Sequence, residues 1–233
     1  MKIYLMGAGL GKKEYLTQQA KNILYETEVL IYDALVDEAV LELIPDTCKQ
    51  IYVGKRGGKP STSQSEINNI LVSYAKQGKK VVRLKNGDPF IFGRAREEIQ
   101  ALKAVGCKVE IIPGLSSAIT APLLAGIPLT DKFLSRSFTV ITAHEPDQLD
   151  WNALARIDTL IILMGGRNLA TIVERLLQEG KQLSFPIAII RSAGTDEQKV
   201  WVGTLQTIVE QTKGEKLSPT VMVIGEVVNL RIN

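Results

Sequence analysis

Residues 81–112 read VVRLKNGDPFIFGRAREEIQALKAVGCKVEII. The stretch opens with the predicted strand Val81–Leu84, turns at residues 86–89 (NGDP), and continues with a helix-period pattern over Arg94–Val105. A second β-branched run, Val109–Ile112, follows that pattern. A strand, a crossover helix and a second strand in this order predict two parallel strands joined by a right-handed connection. The stretch therefore predicts an α/β protein.

The rest of the first half shows the same alternation of strand and helix patterns. The further predicted strands are Ile3–Met6, Val29–Tyr32 and Gln50–Val53, and the further predicted helices are Glu14–Tyr25 and Gln64–Gln77. In the helix from Gln64, apolar residues recur at three- and four-residue steps, so one face is expected to pack on the sheet. Ser63 with Glu66 three residues later predicts a capped start for this helix, and Gly78 predicts its end.

The sequence changes in character after Pro113-Gly114, where a segment of small and apolar residues begins. A second set of elements follows, with predicted strands Phe138–Thr142, Thr159–Leu163, Ile187–Ile190 and Val221–Ile224 and predicted helices Leu169–Gln178 and Leu205–Gln211. No flexible linker or low-complexity segment separates the two halves. We therefore expect two α/β domains, residues 1–114 and 115–233, with a mainly parallel sheet in the first.

The composition of the 233 residues narrows the classes of function. One histidine and two cysteines far apart in sequence argue against a zinc site and a disulfide framework, so no metal is expected. A net charge of +3 is too small for a nucleic-acid-binding tail but suits an acidic small ligand. No apolar run reaches the ~20 residues that span a bilayer, and the apolar part of MKIYLMGAG is short for a secretory signal. We expect a cytoplasmic protein that binds neither nucleic acid nor membranes.

Glycine-containing and charged segments follow the predicted strands of the first half. In chain order they are residues 7–11 (GAGLG), Asp33, Lys55-Arg56, residues 86–89 (NGDP) and residues 113–117 (PGLSS). The carboxyl ends of parallel strands share one edge of a sheet, and ligands of open α/β sheets bind there. Together these segments predict a polar, glycine-lined site, although each alone is equally typical of a tight turn or a solvated charge. His144 and Met164 follow strands of the second half and alone are typical of structural residues.

The spacing of Gly7, Gly9 and Gly11 partly matches the dinucleotide-binding fingerprint. Lys12 stands where that fingerprint has its third glycine, but Asp33 occupies the acidic position at the end of the second strand. A nucleotide-binding oxidoreductase therefore stays open on these residues. A ligand sensor without turnover is a second alternative from a different class.

Ordered segments in both halves carry a more specific similarity: GAGLG, IYDALV, VGKRGG, QSEIN, VVRLKNGDPFIFGRAREE, PGLSSA, AGIPLTDK, TAHE, LMGG, GTDEQKVWVGTL and SPTVMVIGEVV. With these segments the sequence resembles the tetrapyrrole methylase family over essentially its whole length. RLKNGDPFIFGR, GIPLT and VIGEVV are most similar to the members of the family that C-methylate uroporphyrinogen III. The nearest alternative is a member that methylates another precorrin.

The resemblance implies a fold, a methyl donor and an assembly. The implied fold is a two-domain α/β fold of the tetrapyrrole methylase type, with the active site in the cleft between the domains, in a homodimer. The implied donor is S-adenosylmethionine, which leaves as S-adenosylhomocysteine, and the implied substrate is a carboxylate-rich tetrapyrrole. Carried over by position, the cofactor contacts are Leu10, Asn86, Gly87, Asp88, Ile91, Ser116, Ser117, Met164 and Ala193.

The resemblance also assigns acid–base roles, with Asp33 as the proton acceptor and Lys55 as the proton donor. A pyrrole carbon attacks the methyl group, and the resulting cationic ring must lose a proton, which a positioned carboxylate can accept. A carboxylate near that charge also stabilises it electrostatically without moving a proton. The implied reaction is two methylations of uroporphyrinogen III to give precorrin-2, for sirohaem or cobalamin biosynthesis.

The sequence departs from the pattern of the family at several of these positions. Leu10 stands where the family has proline, and Asn86 replaces the first glycine of Gly-Gly-Asp-Pro. Residues 192–194 (SAG) replace a Trp-Gly pattern around Ala193. Asparagine adopts left-handed backbone more readily than most residues, so we expect Asn86 to preserve the shape of its turn.

Overall fold

The chain divides into two units, Met1–Ser116 and Ser117–Asn233, in the computed structural model, which describes residues 2–54 and 62–232. The first unit contains a five-stranded sheet in the order β3-β2-β4-β1-β5. Its strands are β1 (Lys2–Gly7), β2 (Val29–Tyr32), β3 (Lys49–Tyr52), β4 (Val81–Lys85) and β5 (Lys108–Ile112). Every pair of neighbouring strands is parallel. The prediction of an α/β unit with parallel strands is confirmed.

Helices cover both faces of this sheet. They are α1 (Gln18–Leu24), α2 (Glu38–Leu41), α3 (Gln64–Lys76) and α4 (Ala95–Ala104). On one face, Leu24 and Val40 of α1 and α2 join the buried cluster that contains Leu84 of β4. On the other face, Leu71 and Leu102 of α3 and α4 join a second buried cluster with Val81 and other strand residues. Because both faces are covered, the central strand β2 (VLIY) is a continuous apolar run, whereas the edge strand β3 (KQIY) is not.

The start of α3 is the predicted capping box. Ser63 Oγ accepts a hydrogen bond from Glu66 N at 3.2 Å, and the Glu66 carboxylate accepts one from Ser63 N at 2.6 Å. The helix ends just before Gly78, which adopts φ +72°. Both predicted boundaries of this helix are therefore confirmed to within one residue.

The predicted helix Glu14–Tyr25 is wrong in its first part. Residues Lys13–Tyr15 form a 3₁₀ turn, and α1 begins only at Gln18. Thr17 determines this start, because its side chain accepts a hydrogen bond from Ala20 N at 3.1 Å. The apolar period continues across the break and does not reveal it.

The second unit contains a mixed sheet in the order β6-β7-β10-β8-β9. Its strands are β6 (Phe138–Thr142), β7 (Thr159–Leu163), β8 (Pro186–Arg191), β9 (Lys199–Thr204) and β10 (Thr220–Ile224). β6 and β7 are parallel, whereas β10 runs antiparallel to β7 and β8, and β9 antiparallel to β8. The sequence pattern does not predict β9, because this edge strand is only partly buried and lacks a continuous apolar run.

The helices of the second unit also lie on two faces of their sheet. They are α5 (Ser117–Leu124), α6 (Trp151–Leu154), α7 (Leu169–Gln178) and α8 (Ile208–Gln211). Ile162 belongs to the buried cluster that contains residues of α6, α7 and α8. Its neighbours in β7, Ile161 and Leu163, point to the other face and belong to the cluster that contains residues of α5. The predicted bounds of α7 are confirmed. α5 is not predicted, because its residues are apolar or small all round and include Pro122.

Candidate active site

Loops after neighbouring strands meet at the carboxyl edge of the first sheet. Ala8 N donates a hydrogen bond to Lys85 O at 2.7 Å, and Gly87 N donates one to Gly9 O at 2.8 Å. These bonds join the loop after β1 to the loop after β4. The helices that follow the two strands, α1 and α4, pack on opposite faces of the sheet. Such a switch point is where open α/β sheets bind their ligands.

Glycine is required where these loops approach each other. A Cβ atom on Gly7 would overlap the carbonyl oxygen of Gly87 and the main chain of Gly114. A Cβ atom on Gly114 would overlap the same oxygen. Gly87 also adopts φ +67°, a left-handed conformation that side chains disfavour. The loops after β1, β4 and β5 therefore meet through main chain, which leaves peptide groups within reach of a ligand.

Asp88 folds the turn after β4. Its Oδ1 accepts a hydrogen bond from Phe90 N at 2.8 Å, and its carbonyl oxygen accepts one from Ile91 N at 3.3 Å. The left-handed residue of the turn is Gly87 and not Asn86, so the tolerance of asparagine for left-handed backbone is not the reason that this turn accommodates Asn86. Asn86 Oδ1 is buried and has no hydrogen-bond partner among the described residues. A buried amide oxygen in this state is uncommon and identifies a polar group that the fold itself does not use.

Large apolar side chains that follow this turn are exposed. Phe90 is 60% exposed, and Ile91 and Phe92 are each 44% exposed. Phe92 and Arg94 adopt φ of 51° and 54°, which residues with side chains adopt only at an energetic cost. Exposed apolar surface beside strained backbone is typical of a binding site. Ile91, an expected cofactor contact, is thus accessible at this loop.

Arg83 of β4 holds Asp33, which directly follows β2. Arg83 Nη2 donates to Asp33 Oδ1 at 2.6 Å, and the side chain of Asp33 is 29% exposed whereas that of Arg83 is 2% exposed. Arg83 Nη1 donates to Leu84 O at 3.1 Å and to Ile31 O at 3.5 Å. Asp33 is therefore an oriented carboxylate that remains partly accessible at the edge of the sheet.

Glu98 of α4 holds the other end of the Arg83 guanidinium. Its Oε1 accepts hydrogen bonds from Arg83 Nε at 3.0 Å and from Lys85 Nζ at 2.8 Å. Burial lowers the pKa of the Lys85 amino group, and the charge of Arg83 lowers it further, while Glu98 and Asp33 oppose both effects. The network of Asp33, Arg83, Lys85 and Glu98, which we call the β4 charge network, contains two charges of each sign.

Arg83, Lys85 and Glu98 are not among the predicted site residues. A usable signal was present, since VVRLK places two cations at alternate positions of an otherwise apolar strand. Alternate residues of a strand share one face, so both cations point toward the helix layer of α3 and α4. A buried strand with two cations on one face requires a carboxylate opposite them.

The other predicted residues of the first unit have less defined roles. Leu10 is half-buried in the turn after β1, and Ser116 is half-buried after the β5 loop. The hydrogen bond from Gly87 N to Gly9 O brings the residue before Leu10 into contact with Gly87. Lys55, the predicted proton donor, lies outside the described residues.

Three predicted residues belong to the second unit. Ser117 is the first residue of α5. Met164 directly follows β7, adopts φ +57° and is 51% exposed, so an apolar side chain is held in a strained and accessible position. Ala193 is partly buried after β8 and packs against the apolar cluster that contains α5.

The glycine turn after β1 does not open a helix. The dinucleotide fingerprint places the pyrophosphate at a helix N-terminus immediately after the turn, but here a 3₁₀ turn intervenes and α1 begins at Gln18. Over residues 2–54 and 62–232, no group of three or more His, Cys, Asp or Glu side chains is arranged to hold a metal ion. The same part of the chain contains no helix of the length and apolarity needed to cross a bilayer.

Comparisons with known proteins cover nearly the whole chain. The family model for tetrapyrrole (corrin/porphyrin) methylases matches residues 2–209. The uroporphyrinogen-III C-methyltransferase of Synechococcus elongatus is 54% identical over 230 residues, which cover 99% of this chain and 95% of that protein. The enzyme of the same name from Methanocaldococcus jannaschii is 47% identical over 236 residues, covering 98% of this chain and 97% of that protein. The structure of uroporphyrin-III C-methyl transferase from Thermus thermophilus complexed with S-adenyl homocysteine matches with a TM-score of 0.85 at 36% identity, over 99% of this chain and 100% of that one.

Proposed function

This chain belongs to the tetrapyrrole (corrin/porphyrin) methylase family, and from that premise we propose that it transfers methyl groups from S-adenosylmethionine to uroporphyrinogen III. Two C-methylations give precorrin-2, which serves sirohaem and cobalamin biosynthesis. The observation that carries this conclusion is the 54% identity, over nearly the full length of both chains, with a uroporphyrinogen-III C-methyltransferase. The relative solved with S-adenyl homocysteine supports the choice of methyl donor.

The carboxyl edge of the first sheet fits this donor. Gly7 and Gly114 lie against the carbonyl oxygen of Gly87, where a Cβ atom on either would intrude, so peptide groups can approach a polar ligand closely. The exposed Ile91 offers an apolar contact, and the buried Oδ1 of Asn86 is a polar group without a partner among the described residues. We assign donor binding to Leu10, Asn86, Gly87, Asp88, Ile91, Ser116, Ser117, Met164 and Ala193.

The chain contributes to methyl transfer mainly by positioning. S-adenosylmethionine supplies an electrophilic methyl group on a sulfonium. A pyrrole carbon of the substrate forms the new C–C bond as the methyl–sulfur bond breaks, and the electron pair of that bond stays on sulfur. The main chain of residues 86–88 and the side chain of Ile91 orient the reacting atoms, and such orientation removes much of the barrier.

Asp33 carries the acid–base role in this proposal. The methylated ring is cationic until it loses a proton, and an ionised carboxylate both stabilises that charge and accepts the proton. The hydrogen bond from Arg83 orients Asp33 Oδ1, and the side chain remains partly exposed. We assign the proton-donor role to Lys55 on the family resemblance.

Two further properties complete the proposal. We propose that the protein is a homodimer, and analytical ultracentrifugation tests this. A measured mass of one chain at micromolar concentration would contradict the homodimer. We also propose that the protein acts in the cytoplasm, where the carboxylate-rich tetrapyrrole is its small-molecule partner. Fractionation of cells that express the chain tests this location.

The activity is tested by incubating the purified protein with uroporphyrinogen III and S-adenosylmethionine and measuring the mass of the product. Two added methyl groups support the proposal, whereas an unchanged mass together with turnover on another precorrin would contradict the substrate. Equilibrium dialysis tests the donor site separately. Binding of a nicotinamide dinucleotide in place of S-adenosylhomocysteine would favour an oxidoreductase, and binding of S-adenosylhomocysteine without turnover on any precorrin would favour a sensor.

A further inference from the structure

The β4 charge network has a gradient of exposure. The side chains of Arg83, Lys85 and Glu98 are 2%, 5% and 0% exposed, whereas that of Asp33 is 29% exposed. Among the described members of the network, Asp33 is thus the one that reaches the edge of the sheet. The buried members lie between β4 and α4 and connect this carboxylate to the interior of the unit.

Two of the three nitrogen atoms of the Arg83 guanidinium are held by hydrogen bonds inside the first unit. Nε donates to Glu98 Oε1 at 3.0 Å, and Nη1 donates to the carbonyl oxygens of Leu84 and Ile31. Because the guanidinium is planar and rigid, fixing Nε and Nη1 also fixes Nη2. Nη2 is the atom that donates to Asp33 Oδ1 at 2.6 Å. The position of the Asp33 oxygen therefore depends on a contact that Glu98 makes at the far end of the same group.

Stability does not account for this arrangement. A buried ion network is often no more stable than well-packed apolar side chains of the same volume, because the charges lose their hydration. Glu98 is a poorly satisfied member, since its Oε2 is buried and has no hydrogen-bond partner among the described residues. Its single bonded oxygen accepts from Arg83 and Lys85 and, at 3.5 Å, from Gln64 Nε2. A carboxylate in this position is explained if its role is to orient Arg83.

We propose that Glu98 is a positioning residue for methyl transfer, which acts through Arg83 to hold Asp33 in its working orientation. The proposal rests on the function proposed above, in which Asp33 accepts the proton. Proton transfer requires the accepting oxygen within hydrogen-bonding distance of the reacting group, so a loosely held carboxylate is a poor base. Lys85 Nζ donates to the same oxygen of Glu98 at 2.8 Å and places a second positive charge beside it.

The variant Glu98→Gln tests the role with little change in volume. The amide oxygen can keep the contacts of Oε1 with Arg83 and Lys85, but the negative charge is lost, so Asp33 alone is left to balance the two buried cations. We expect the single-turnover rate of methylation to fall by about tenfold or more, after division by the number of sites that bind S-adenosylhomocysteine. The affinity for S-adenosylhomocysteine is expected to stay within about twofold of the original chain, because Glu98 is not assigned to the donor site.

Leu102→Ala is the matched control for loss of stability. Leu102 is on the same helix, is fully buried and carries no charge, so its truncation leaves a cavity but removes no charged group of the network. We expect this variant to lower the Tm but to keep the rate per binding site within about twofold. A Glu98→Gln rate within the same range would overturn the proposal, as would an equal fall in Leu102→Ala at a matched loss of Tm.

A double-mutant cycle with Arg83→Lys separates positioning from a general effect on the fold. Lysine keeps the charge but cannot contact Glu98 and Asp33 with one rigid group. We expect the double variant to be at most about threefold slower than the slower of the two single variants. Both changes break the same series of contacts, from Glu98 through Arg83 to Asp33. Rate losses that multiply would contradict the proposal. The original chain is measured first. If it does not methylate uroporphyrinogen III, both the proposed function and this inference fail. If the original chain is active and Glu98→Gln has an unchanged rate, only the inference is rejected.

Discussion

The carbonyl oxygen of Gly87 fills the space that a Cβ atom on Gly7 would need. Gly7 is the last residue of β1, and Gly87 follows the neighbouring strand β4. Hydrogen bonds between the two loops keep the residues at this separation. The distance between the two strand ends is thus determined by main chain, and even one methyl group has to displace a loop.

We therefore expect Gly7→Ala to weaken S-adenosylhomocysteine binding by about tenfold, since overpacking of a tight contact costs ~1–3 kcal/mol. Calorimetric titration measures the affinity directly. Gly78→Ala is the matched control, because a Cβ atom there meets nothing within 4 Å. Its φ of +72° costs about 1 kcal/mol of stability, but binding should be unchanged. Normal binding by Gly7→Ala would place the donor elsewhere.

Met164 combines an accessible apolar side chain with a left-handed backbone, and two truncations separate these properties. Both Met164→Ala and Met164→Gly should weaken S-adenosylhomocysteine binding, because both remove the same contact. Met164→Gly should be more stable to urea than Met164→Ala by about 0.5–1 kcal/mol, since glycine adopts positive φ without a steric cost. Equal free energies of unfolding would show that the backbone is not strained. Unchanged affinity in both variants would remove Met164 from the donor site.

Asp33→Asn should lower kcat by about 10²–10⁴-fold, the usual contribution of a positioned acid–base group. The amide keeps the size of the side chain, so S-adenosylhomocysteine affinity should be retained. Asp46→Asn, which changes an exposed carboxylate in the connection before β3, is the control and should have normal turnover. Normal turnover in Asp33→Asn would mean that the carboxylate has no part in the reaction.

A pH dependence of stability is expected from Glu215 in the second unit. Lys199 Nζ lies 2.5 Å from its Oε1 and Arg191 Nη1 lies 3.3 Å from its Oε2, and the hydrogen bond from Lys199 is the main cause that lowers the Glu215 pKa below 4.5. A carboxylate with a lowered pKa stabilises the fold fully above its unfolded value, and this contribution is lost as the pH falls through the folded value. The difference in Tm between the original chain and Glu215→Gln should therefore be constant above pH 4.5 and shrink in more acidic solution. A difference that does not change with acidification would exclude this pairing as its source.

Local patterns in the sequence predict much of the fold. The capping box of Ser63 and Glu66, the βαβ unit of residues 81–112 and the bounds of α7 depend on residues that are close together along the chain. Periodicity and capping report these features directly. The glycine-rich segments at the strand ends were also identified as one edge, because parallel topology alone brings them together.

Features that depend on distant contacts were not predicted. Arg83 meets Glu98 across 15 positions and Asp33 across 50, so their pairing exists only once β2, β4 and α4 are assembled. The left-handed residue of the NGDP turn was assigned to Asn86 from its intrinsic preference, yet the neighbouring Gly87 adopts that conformation at no steric cost. The pairing of Arg83 is thus selected by the tertiary structure, whereas at the turn the local preference of glycine for positive φ exceeds that of asparagine.

The alternation of charge along β4 also bears on how the first sheet finds its correct pairing. A slip of β4 by one residue against β1 and β2 would turn every side chain to the opposite face. Arg83 and Lys85 would then leave Glu98 and enter the layer formed with α1 and α2, among the apolar side chains of the buried cluster there. Misaligned folding intermediates would therefore be penalised by two buried cations without their ion-pair partners, so these charges would also reject wrong registers during folding.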